Sequence, residues 1–175
     1  MDQLYDHAIR VFKKEGIERC TLEVIEQNER AIRVYERIGF QKTKKLHCFK
    51  GIITGKSIGT EIRETDLTIL NNADLQNEQF PSWDHTWNGI QAAGGVYSVF
   101  EVLNAEKIKI GFFVINLSNG YIPQIGMLTT HASTEDWRNI VSSVSSVSKT
   151  VKANNIDSRR NGLLDALEYN GLENF

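Results

Sequence analysis

Within residues 21–40, TLEVIEQNERAIRVYERIGF, a strand periodicity gives way to a helical one, and this join restricts the architectures open to the chain. Leu22 and Val24 alternate among β-branched neighbours over 21–25, the pattern of a short strand. Gln27, Asn28 and Glu29 make the turn. Asn28 suits a helix start because its side-chain oxygen can accept from an orphan backbone N–H. From Glu29 onward the apolar residues Ala31, Ile32, Val34, Tyr35 and Ile38 recur at helical spacing. Gly39 stands where the helix must stop with a residue at positive φ, and Phe40 begins the next extended run. Asn28, Ala31 or Ile32, and Tyr35 lie three, four or seven residues apart, so they line one face of the helix and its entry. An amide, a small side chain and a phenol on one stripe are unusual things to bury. The plain structural alternative is a cap at Asn28 and a core tyrosine at Tyr35.

Taken jointly, Leu22, Glu23, Val24, Asn28, Ala31, Tyr35, Gly39 and Phe40 resemble the last shared segment of the GNAT N-acetyltransferases. The resemblance implies a strand that splays from its neighbour, with the pantetheine arm of acetyl-CoA entering the gap. It implies that Asn28 contacts the cofactor and that Tyr35 protonates the departing thiolate. The fold class it implies is α/β (α+β): a mixed, mostly antiparallel central sheet flanked by helices, preceded by a partial helix–strand–helix–strand unit.

Composition sets the outer limits. A chain of 175 residues with 41% apolar residues can bury a globular core in one domain or two small ones. Charged residues make up 24% and the net charge is −2, so there is no broad electrostatic case for nucleic acid as a partner. No apolar run reaches the ~18 residues of a membrane span, and MDQLYDHAIR has neither the basic start nor the apolar middle of a signal peptide. Cys20 and Cys48 read as reduced thiols, and His47 beside Cys48 has no second ligand pair, so no metal site is expected. The expected location is the cytoplasm.

Residues 1–16 read as a helix with Leu4, Tyr5, Ala8, Val11 and Phe12 as its apolar stripe. In the family this helix follows a glycine-containing loop that holds the CoA pyrophosphate at a helix N-terminus, and here the sequence starts at that point. Residues 41–49 read as a strand, and 51–59, with three glycines, as a linker. The expected organisation is therefore 1–50 as the closing part of a first GNAT copy, 51–59 as linker, and 60–175 as a second, degenerate copy. In the second copy, 61–67 resembles a first strand and helix entry, with Leu67, Leu70 and Leu75 in that helix or at its end. A further helix is expected from Pro81, with Trp83 and Trp87 on one face. Strands follow over 96–102, 107–117 and 121–129, turning at 104–106 and at Ser118-Asn119-Gly120. Ile125, Gly126 and Met127 resemble the central strand whose backbone pairs with pantetheine, and are the expected cofactor contacts.

After that strand the family requires a glycine-rich phosphate loop, yet 130–138 contains no glycine. Ser133 with Asp136 makes a capping interval, and Glu135 and Asp136 put two carboxylates where a pyrophosphate would sit. A helix runs on through Trp137, Ile140, Val141, Val144 and Val147, then a strand over 150–156 and a helix over 161–169. The closing LLDALEYNGLENF echoes AIRVYERIGFQKT, and aligning Gly171 with Gly39 sets Leu167 against Tyr35 and Arg160 against Asn28. The second copy has thus lost the phenol. His85 and His131 are titratable but read as solvated loop residues. The implied activity is acetyl transfer from acetyl-CoA to an amine, small-molecule or peptide, impaired here by the missing loop, with Tyr35 as the one catalytic candidate. The alternative is a non-catalytic GNAT-like lobe for structure, ligand binding or dimerisation. The apolar faces left on the first unit predict a homodimer.

Overall fold

The computed structural model describes residues 2–71, 82–129 and 133–175. The chain divides into two compact units, Met1–Thr43 and Lys44–Phe175.

The first unit holds two helices, α1 (Asp2–Lys14) and α2 (Glu29–Arg37). Lys13 and Lys14 sit in the last turn of α1, where cations complement the carbonyl end of the helix. At its start α2 is capped by Asn28. It ends at Gly39, whose φ of 100° lets Gly39 N and Phe40 N turn back to Glu36 O and Tyr35 O, each at 3.0 Å. The strand expected over 21–25 does not form. A strand needs a ladder partner for its N–H and C=O groups, and no described residue of this unit pairs with that segment. None of the unit's described residues is buried, and Leu4 and Ile25 are each 73% exposed.

The second unit is one seven-stranded sheet in the order β2-β3-β4-β5-β6-β1-β7. Its strands are β1 (Leu46–Ile52), β2 (Glu61–Thr65), β3 (Ser98–Leu103), β4 (Lys109–Asn116), β5 (Tyr121–Met127), β6 (Thr150–Asp157) and β7 (Glu173–Asn174). Every pairing is antiparallel except β5 with β6. This is the mixed, mostly antiparallel sheet with flanking helices that the resemblance implied. Helices α4 (Thr134–Ser143) and α5 (Asn161–Tyr169) supply Ile140, Val141, Leu163 and Leu167 to the main core, with Phe100, Phe113, Ile125, Val151 and Ala153 of the sheet. Alternate strand residues, Val99, Phe112 and Val114, join Ile90 of the short helix α3 (Trp87–Ala92) in a second apolar cluster. The period-two alternation of the strands thus fills both faces of the sheet.

Differences from the sequence expectations have local and non-local causes. The strand expected over 41–49 forms as β1, later along the chain, extending into the 51–59 segment. Its limits follow its partners: Phe49 lies opposite Ala153 of β6 and Asn174 of β7. The single helix expected from Pro81 is instead a 3-10 turn, Trp83–His85, followed by α3. Thr86 divides them, because its hydroxyl oxygen accepts from Gly89 N at 3.0 Å as an N-cap. Trp83 is therefore 75% exposed while Trp87 packs on the second cluster, and the two do not share a face. The helix expected to reach Val147 ends at Ser143 and tightens into a 3-10 turn, Val144–Ser146. Leu75 and residues 130–132, His131 included, lie outside the described residues.

Candidate functional site

The sheet is interrupted chemically between β5 and β6. These parallel neighbours share one register pair, Tyr121 with Lys152, where Lys152 N donates to Gly120 O at 3.1 Å. Beyond that pair no residue of β5 is in register with β6. A bulge lies at the same place. Val114 faces Gln124 and Asn116 faces Tyr121, so Ile115 alone opposes Ile122 and Pro123 together. Pro123 contributes no N–H, which suits a strand leaving its ladder. Past the bulge, Leu128 N donates to Ile110 O at 3.0 Å, so the backbone of the even-numbered residues turns towards β4. Ile125 and Met127 consequently present their N–H and C=O groups to the gap. Gly126 between them lies flat over Phe112, whose ring a Cβ would meet at 2.6 Å. The gap is bridged by Arg160, the residue before α5: its Nη2 donates to Ile125 O at 2.5 Å, and its guanidinium carbon lies 5.7 Å from the centre of the Trp137 ring. On β6, Asn154 Oδ1 is buried without a hydrogen-bond partner.

A polar cluster sits beside the bulge. The Tyr121 hydroxyl donates to Asp84, and His85 Nε2 lies 3.5 Å from Tyr121 Oη and 3.9 Å from Asp84 Oδ1. The Gln124 side-chain amide donates to His85 O, so the 3-10 turn is held against β5 at both Tyr121 and Gln124. Burial, then the hydrogen bond to Asp84, pushes the Tyr121 phenol far above its usual range, and burial with the charge of Asp84 raises Tyr97 as well. Both phenols are therefore neutral throughout the physiological range. The sequence reading of His85 as a solvated loop histidine is corrected: it is 5% exposed. Only the packing of the turn onto β5 reveals this, since nothing in the local sequence separates His85 from an exposed loop residue.

The candidates in the first unit keep to their own unit. Asn28 Oδ1 accepts from Ala31 N at 3.2 Å, which makes Asn28 the N-cap of α2. Tyr35 is half-buried, edge-on to Phe40 at 5.8 Å, and Phe40 in turn meets Tyr5 at 6.0 Å. A hollow of about 480 Å³ lies beside them, lined by Tyr5, Asp6, Arg37, Ile38 and Gly39. Asn28 and Tyr35 thus belong to one unit, and Ile125, Gly126 and Met127 to the other.

The helix after β5 starts as a capping box. Ser133 Oγ accepts from Asp136 N at 3.0 Å, while Asp136 Oδ2 accepts from Ser133 N at 2.9 Å. Leu167 is 1% exposed in the core, at the position where the internal echo sets a phenol in the first unit; Tyr169 is 62% exposed, its ring 4.0 Å from the Arg138 guanidinium. Among the described residues no group of three or more His, Cys, Asp or Glu side chains could hold a metal ion, and no helix is long and apolar enough to cross a membrane.

Comparison with known proteins adds to this geometry. Residues 1–40 match the Acetyltransferase (GNAT) family. No curated protein matches the chain at a significant level. Among solved structures, the chain resembles a GCN5-related N-acetyltransferase from Sphaerobacter thermophilus at 11% identity and a TM-score of 0.57, covering 87% of this chain and 55% of that one. A Drosophila protein shows 12% identity and a TM-score of 0.49 over 84% of this chain and 54% of its own, too weak a likeness to interpret. The chain thus spans 55% of the length of the Sphaerobacter protein, and what it shares with that protein is its fold.

Proposed function

We propose, proceeding from GNAT acetyltransferase sequence in residues 1–40 and a GNAT fold over the chain, that this protein is an acetyl-CoA-dependent N-acetyltransferase acting on an amine. The observation that carries the reading is the opened edge of β5, where a bulge and a single β5–β6 pair leave the backbone of Ile125 and Met127 facing a gap. An extended arm bearing amides fits such an edge as an added strand would. When bound, acetyl-CoA supplies the acetyl group as a thioester. The cluster of Asp84, His85 and Tyr121 stands beside the bulge. Its carboxylate, Asp84, with a side chain 32% exposed, suits a cationic amine as a charge partner. The first unit carries its own proposed pair, taken from the family resemblance and independent of the β5 edge: the phenol Oη of Tyr35 as a proton donor and Asn28 as a cofactor contact, a role its amide would share with capping α2.

A second reading, a non-catalytic lobe, is favoured by two other features. Arg160 already occupies the acceptor of Ile125. The first turn of α4 carries Glu135 and Asp136, and the capping box consumes the Asp136 N–H that an anion would use. That start of a helix does not fit a pyrophosphate. Calorimetric titration with acetyl-CoA separates the readings. Binding in the micromolar range, about −8 kcal/mol, followed by amine-dependent release of free thiol, supports the enzyme. Absence of heat supports the lobe.

A further inference from the structure

Arg160 holds a position that invites a regulatory reading. Backbone groups inside a protein need partners, and from the Tyr121–Lys152 pair onward β6 offers none to β5. Ile125, whose side chain is 1% exposed in the core, is the first residue past the bulge to turn its carbonyl into the gap. Arg160 supplies that partner from 35 residues away in sequence. It stands at the N-cap of α5 yet makes no side-chain cap there. Its guanidinium rests near Trp137, and the Trp137 indole is itself held against Gly162, where a Cβ would come within 2.6 Å of the ring. A planar, always-charged group on a long stem can make this bond and also leave it by rotating its own side chain, with no movement of either strand.

We infer that Arg160 is a gate on the edge of β5: closed, it satisfies Ile125 O, and an extended amide-bearing ligand gains that edge only by displacing it. The inference rests on the acetyltransferase reading for its ligand, acetyl-CoA. Its consequence is opposite in sign to the ordinary role of an arginine near an anionic cofactor. Removing a phosphate-binding cation weakens binding, whereas removing a gate strengthens it.

The test uses the full chain and Arg160→Ala, with Arg160→Lys as a variant that keeps a donor but loses the planar fork. The ¹³C chemical shift of the Ile125 carbonyl, read without cofactor, is expected to move upfield in Arg160→Ala, as a carbonyl that loses its donor does, and less in Arg160→Lys. The acetyl-CoA dissociation constant is expected to fall about tenfold in Arg160→Ala. An unmoved carbonyl shift in a folded Arg160→Ala, or a rise in its dissociation constant, overturns the gate. If Arg160→Ala does not fold, Arg160→Lys and Trp137→Phe, which weaken the closed state without emptying it, are read by the same two measurements: an upfield shift with tighter binding supports the gate, and an unmoved shift or weaker binding overturns it. An upfield shift with no acetyl-CoA binding by any form leaves the gate standing and removes the acetyltransferase reading.

Discussion

Asp157→Asn should destabilise the second unit by about 3 kcal/mol, through the loss of one partner of a buried ion pair. Asp157 is 2% exposed at the end of β6. Its Oδ2 lies 3.3 Å from Lys44 Nζ and 2.6 Å from Arg159 Nη2, and its Oδ1 accepts from Arg159 Nε and Arg159 N, each at 2.9 Å. The two cations are not equal. The Arg159 side chain is 57% exposed, so water screens its attraction and replaces its bonds when the carboxylate goes. Lys44, 9% exposed, loses the Asp157 charge where little solvent can take its place. The cost therefore lies with Lys44, at the lower end of the range of about 3–5 kcal/mol for breaking buried pairs. The hydrogen bonds of Arg159 and the charge of Lys44 hold the Asp157 carboxyl well below the usual carboxylate range. A carboxyl depressed on folding stabilises the native state above its unfolded pKa of about 3.9, and that stability drains away as the pH falls towards the folded value. The difference between wild type and Asp157→Asn is thus full at pH 7 and shrinks below about pH 4. Urea denaturation at both pH values reads it. With a slope of about 2 kcal/mol per molar, the midpoint should drop by about 1.5 M at pH 7. A drop below about 0.3 M, or one equally large at pH 3, refutes the reasoning.

Tyr35→Phe should lower acetyl transfer about a hundredfold, as loss of a proton donor does, while acetyl-CoA affinity stays within about twofold; steady-state kinetics with unchanged turnover would remove the phenol from that role. Ser133→Ala deletes one half of the capping box at the start of α4 and should cost about 1 kcal/mol, measurable as a shift in thermal midpoint. Gly111→Ala places a Cβ 2.5 Å from Gly126 O and 2.2 Å from Ile140 Cδ1, so β4 or α4 must move; denaturation should show a loss of about 1–3 kcal/mol, and a neutral result would mean that the contact yields freely. Leu4, Val11, Ile17 and Ile25 are all exposed in a unit without a buried residue among those described, so the chain is expected to self-associate; light scattering showing monomer across a wide concentration range would contradict this.

What the residues determined by themselves was local. Asn28 caps α2, Gly39 ends it, and Ser133 and Asp136 close their box, because each depends on backbone groups within a few positions; β3, β4 and β5 form close to their alternating runs because short turns bring these neighbours together. Leu167 in place of a phenol was equally legible, being a matter of register within one helix. Tertiary structure decided the rest. Residues 21–25 have strand chemistry and no strand, whereas 46–52 becomes one because β6 and β7, roughly a hundred residues or more further on, accept its ladder. The same holds for the site. Ile125 and Met127 can be picked from their resemblance, but the bulge at Ile122–Pro123, the burial of His85 and the reach of Arg160 to Ile125 come from contacts between distant segments. A propensity is a property of one stretch of chain, while a ladder partner, a desolvated imidazole or a bridged gap exists only once two stretches meet.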